Sequence, residues 1–173
     1  MKTLNALAIS LPVISVIATY LALGPLSGVY LIWVAFLFWA GFFALGADMG
    51  AFKSMILCGI LGAILAWAGT LIILNVPLAD SIGLPLWAGI VVGAAVAVGV
   101  LAANIPLFDA IPATVFGIAT SFGYLLQTPD VMTNEMLTSV SLQNSVILIS
   151  ASAIAGAVFG LISGKFAGAM TSE

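Results

Sequence analysis

Between positions 113 and 127 the chain carries an unusual concentration of hydroxyl and small residues in an otherwise apolar run. Drawn as a helix turning about 100° per residue, Ala113, Thr114, Gly117, Thr120, Ser121, Tyr124 and Gln127 fall on one arc, and Val115, Ile118, Ala119, Phe122, Leu125 and Leu126 on the other. Lipid tails offer no hydrogen bonds, so the hydroxyl arc should face protein or water. In water it could trade hydrogen bonds with an uncharged polar solute; against protein it would let helices approach closely. Both readings stay open. Asn104, Pro106, Asp109 and Pro112 precede the run, with Asp109 placed to cap the helix and Pro112 in its first turn.

The second group is aromatic. Phe38, Trp39 and Phe42, with Phe116 on the helix just described, could form the flat walls of a constriction. Equally, these rings could fill a core or meet lipid. Asp48 and Asp109, with Asn104, would then make a vestibule at one mouth, and Tyr124 and Gln127 the other mouth. As helix caps or solvated charges, the same acids would carry no function.

Much chemistry is excluded. Histidine and arginine are absent and Cys58 is the single cysteine, so a Cys/His zinc site and a Ser-His-Asp triad cannot be built. No metal or cofactor is expected, and no enzymatic activity. Three lysines give no surface for nucleic acid. No acid falls in the middle of an apolar run, so an ion-coupled pump lacks its expected carboxylate.

The elements that must position these residues are membrane helices. Of 173 residues, 64% are hydrophobic and 5% charged. The mean hydropathy is +1.34. Spans of about 20 apolar residues are expected at Leu4–Leu23, Val29–Ala47, Ser54–Asn75, Leu86–Ala103, Ala110–Leu126 and Ser145–Gly164. The expectation is therefore an all-α, polytopic membrane protein of six transmembrane helices, one domain over 1–173. With six spans Lys2, Lys53 and Lys165 share one side, which the positive-inside rule makes cytoplasmic, with both termini. Because the run after Lys2 leads almost straight into the next, the first span is read as a helix rather than a cleaved signal.

Three spans followed by three more would invert the second half, giving repeat halves 1–76 and 84–165. Ala35 and Phe38 then align with Ala113 and Phe116, and Ile60-Leu61-Gly62-Ala63 with Ile154-Ala155-Gly156-Ala157. Two unrelated three-helix bundles is the alternative. Stripes at Gly62/Ala66, Gly89/Gly93/Ala97 and Gly156/Gly160/Gly164 suit close helix contacts. A homo-oligomer is expected.

The run from Asn104 through Pro112, Ala113, Phe116, Gly117, Thr120 and Phe122 to Gly123, with Phe38-Trp39-Ala40-Gly41-Phe42-Phe43-Ala44-Leu45-Gly46-Ala47-Asp48 upstream, resembles the bacterial inner-membrane family of domain of unknown function 1097, whose YcdZ-like members are of similar length. The resemblance implies the setting, a bacterial inner membrane, and no activity. The leading expectation is a channel or facilitator for urea, a short amide or ammonia. The alternatives are a secondary transporter of a small organic metabolite and a non-transporting scaffold or accessory subunit. An open pore requires a void beside Thr114, Gly117, Thr120 and Ser121.

Overall fold

The computed structural model describes residues 1–171, and among these it is helical without strands. The helices are α1 (Thr3–Leu23), α2 (Ile32–Ala44), α3 (Met49–Asn75), α4 (Ala79–Ile82), α5 (Leu84–Ala102), α6 (Ile111–Gln127), α7 (Asn134–Thr138) and α8 (Ser145–Met170). A single 3-10 turn, Pro106–Phe108, leads into α6. Helices α1, α3, α5 and α8 are long and apolar enough to cross a membrane. That fits a multi-pass membrane protein.

The second apolar run forms a shorter helix than expected, 13 residues in α2, while the fifth forms α6 at the expected 17 residues, displaced by one position. At about 1.5 Å per residue they reach roughly 20 and 26 Å, against a hydrocarbon core of about 30 Å. Local chemistry explains both limits. Gly28 turns the chain at φ +79° and Leu31 is extended, so α2 starts late. At the other end Gly46 adopts φ +109°. The Gly46 and Ala47 amides then donate back to the Phe43 and Phe42 carbonyls at 3.2 and 3.0 Å, closing the helix before Ala47. Helix α6 takes Pro112 into its first turn and ends at extended Thr128, as the following Pro129 demands.

Two other helices are longer than expected. Asp48 accepts from the Ala51 amide at 2.7 Å and starts α3 at Met49, drawing Lys53 into the helix. Asn144 caps α8 by accepting from Val146, and α8 runs through Lys165 to Met170. Pro12 leaves α1 continuous.

Helices α3 and α8 stand at the centre. Helix α6 lies along α3, and α2 along α8. Within each pair the chains run parallel: Gly59 and Gly69 of α3 meet Gly117 and Phe122 of α6, while Ala35 and Phe42 of α2 meet Gly156 and Gly160 of α8. Helix α5 packs on α3 and α1 on α8. The amino terminus donates to the Met170 carbonyl, which sets the start of α1 beside the end of α8. The largest core cluster joins Phe38 and Phe42 of α2, Met55 and Cys58 of α3, Ala113 and Tyr124 of α6, and Ile149 and Ala153 of α8.

Candidate functional site

The hydroxyl face of α6 is turned onto α3. Thr114, Gly117, Thr120 and Ser121 are all buried, the hydroxyl residues at most 2% exposed. A methyl group at Gly62 would strike the Thr114 carbonyl oxygen, and one at Gly117 would strike the Gly59 carbonyl oxygen. The two backbones are in contact, which is what small residues permit. In this conformation the face borders protein, and none of the four cavities described for the bundle is lined by it.

The hydroxyls differ in how they are satisfied. Thr120 donates to its own helix at Phe116, 2.7 Å away, the usual recourse of a hydroxyl inside a helix. Ser121 Oγ has no hydrogen-bond partner, while Thr114 Oγ1 has the Cys58 thiol of α3 beside it. A buried donor left unpaired costs about 1–3 kcal/mol.

The opposite arc of α6 is not a lipid face throughout. Ile118 and Phe122 join a cluster with Ala66 and Ile73 of α3 and Trp87 and Val91 of α5, and Leu125 joins the main core. Val115, Ala119 and Leu126 keep the exposed stripe. Tyr124 is buried and its hydroxyl donates to the Gln143 carbonyl at 3.0 Å, whereas Gln127 is exposed at the helix end.

The aromatic residues divide. Phe38 is fully buried and meets half-buried Phe116 edge to face, with ring centroids 6.2 Å apart. Phe42 is buried against Gly160. Trp39 turns away to the α1 side, donating to Ser163 Oγ at 2.9 Å. There it packs with Ile14 and Ala18, apart from the Phe38–Phe116 pair.

At the end of the bundle that holds the amino terminus, Asp48 and Asp109 do come together. With Leu45, Gly50, Ala51, Ser54 and Ala110 they line an open cavity of about 330 Å³. Asp48 is also the α3 cap, so one of its oxygens is engaged. Asp109 does not cap α6: that position belongs to Ala110, with no side-chain acceptor, because the 3-10 turn carries Asp109 out of reach. Asn104 stays outside the cavity, donating to the Leu101 carbonyl. Among the described residues no group of three or more potential ligands could hold a metal.

The far end is closed by residues that lie between the expected fifth and sixth spans. Val131 and Leu137 are buried in the main core beneath the segment between α6 and α8. Two donors converge on the Leu137 carbonyl, Trp67 Nε1 of α3 at 2.7 Å and Asn144 Nδ2 at 2.8 Å. Asn75 and Asn134 pair through their side-chain amides. The capping asparagine, Asn144, was the available signal.

The chain matches, over residues 8–168, the family described as "Protein of unknown function (DUF1097)". It belongs to that family. Membership covers α2 to α7 completely, so both short helices, the two-aspartate cavity and the far-end closure lie within the family's extent. No curated protein and no solved structure matches the chain.

Proposed function

We propose that the chain is a facilitator for a small uncharged polar solute, such as urea, a short amide or ammonia, which opens its two ends in turn. One observation carries this reading. The two short apolar helices, α2 and α6, are each the second helix of a half in the repeat reading, and they meet through the Phe38 and Phe116 rings. Paired short segments at such positions are where inverted-repeat transporters bind their cargo.

The packing supports an inverted 3+3 repeat. Exchanging the halves turns the α3–α6 contact into the α8–α2 contact and the α3–α5 contact into the α8–α1 contact, and all four are present. Gly62 meets the Thr114 carbonyl and Gly156 the Ala35 carbonyl, a similar contact one position off the Ala35–Ala113 register. On this reading α2 and α6 complete six membrane segments. The family resemblance favours a bacterial inner membrane, and the lysine positions favour a cytoplasmic amino-terminal end.

A permanently open pore is less well supported, because Thr114, Thr120 and Ser121 are covered by α3. Their release would require α6 to shift along it. The unpaired Ser121 hydroxyl makes that shift cheaper, since it gives up no hydrogen bond. Asp48, Ser54 and Asp109 would form the entrance at the amino-terminal end. The test is a urea step applied to liposomes containing the purified protein. Volume recovery faster than in empty liposomes supports the proposal; equal recovery for urea, formamide and ammonia removes it.

The scaffold reading has one specific observation in its favour. Gly89 and Gly93 of α5 meet nothing within 4 Å, so that stripe is left open on the outside. If it docks a second copy or another membrane protein, Gly93→Leu should break a co-purifying complex, and Thr120→Val should change no flux.

A further inference from the structure

We propose that the segment between α6 and α8 is a gate over the far end of the bundle, with the Leu137 carbonyl as its latch. This rests on the transport reading and names the moving part.

The segment is built differently from the other connections. The Gly24–Leu31 and Leu45–Asp48 turns are short, whereas this one spans the residues from Thr128 to Asn144 and holds only the five-residue α7. Its hold on the bundle is concentrated. Leu137, at most 1% exposed, and Val131 are its apolar anchors in the core. Its polar attachments to the helices around it are the Trp67 bond from α3, the Tyr124 bond from α6 to the Gln143 carbonyl, the bonds of Asn144 at the cap of α8, and the Asn75–Asn134 pair. Trp67 and Asn144, the two donors to the latch carbonyl, also line an open cavity of about 380 Å³ with Ile64, Val146 and Ile147. The latch therefore sits at the wall of an open cavity lined mainly by apolar side chains.

The two ends of the bundle are unequal. At the amino-terminal end the cavity between Asp48 and Asp109 is open. At the far end Val131 and Leu137 are buried in the same core cluster as Tyr124, Leu125 and Leu148. Lifting this segment withdraws two apolar side chains and exposes the end of α6. A few localised attachments make such a movement a single event instead of an unravelling.

The test uses the full chain in nanodiscs. Trp67→Phe keeps the ring and removes the latch donor. Amide exchange in residues 134–139 should become about tenfold faster, the shift produced by losing a hydrogen bond worth about 1.4 kcal/mol, with exchange in the rest of α3 and in α8 unchanged. Faster exchange spread across α3 and α8 would mean that the segment is a structural cap, and unchanged exchange that it has no latch; either overturns the proposal. In a Cys58→Ser background, Asn75→Cys with Asn134→Cys supplies a second arm. Oxidation should stop solute flux and a reductant restore it. Full flux with the disulfide formed overturns the gate while leaving the transport reading intact. Local loosening in Trp67→Phe, in a protein that moves none of the solutes tried, supports the hinge and overturns the transport reading.

Discussion

A methyl group at Gly117 has nowhere to go, because the Gly59 carbonyl of α3 fills the space. Gly117→Ala should therefore force α3 and α6 apart and cost about 1–3 kcal/mol, read as a lower unfolding temperature in detergent. Ser121 behaves oppositely. Its hydroxyl is buried without a partner, so Ser121→Ala should leave stability unchanged within about 0.5 kcal/mol or raise it. If the hydroxyl contacts solute in another conformation, the same variant slows flux. The helical wheel located Thr114, Thr120 and Ser121 on a buried face, because lipid cannot satisfy a hydroxyl. It could not choose between water and α3, since that depends on the glycines of another helix. Nor could it foresee that Ile118 and Phe122 would be buried too, on α5 and α3.

Helix lengths are where local turn chemistry overrides hydropathy. The apolar run continues past Ala44, yet the left-handed residue at Gly46 ends α2. Gly46→Ala meets no steric neighbour but must hold φ +109°. It should lower stability by about 1–2 kcal/mol, the cost of a left-handed conformation for a residue with a Cβ, measurable by thermal unfolding. The same apolar stretch explains why the sequence reading drew α2 too long, whereas Asp48, read there as an alternative cap, does cap α3. The far-end closure was hidden for another reason. Its apolar anchors, Val131 and Leu137, stand among polar residues in too short a run to show helical periodicity, and their burial depends on Trp67 and Asn144 arriving from α3 and the start of α8.

Across the whole molecule, two of the four helices long enough to span, α3 and α8, carry the two short ones, and parallel packing of α3 with α6 and of α8 with α2 exchanges partners between the two halves of the chain. Composition made the helical membrane class plain, since so few charges cannot cover a water-soluble surface. The pairing was only hinted at by the Phe38–Phe116 alignment, because glycine, alanine and leucine align readily with themselves. The central claim is that the ends open in turn around α2 and α6. The most direct measurement is the labelling rate, by a polar maleimide in a Cys58→Ser background, of Ser54→Cys in the amino-terminal cavity and of Leu137→Cys under the far-end segment, with and without saturating urea. Alternate opening predicts opposite changes, slower at one position and faster at the other. Rates that urea, formamide and ammonia all leave untouched, or that rise and fall together, would contradict it.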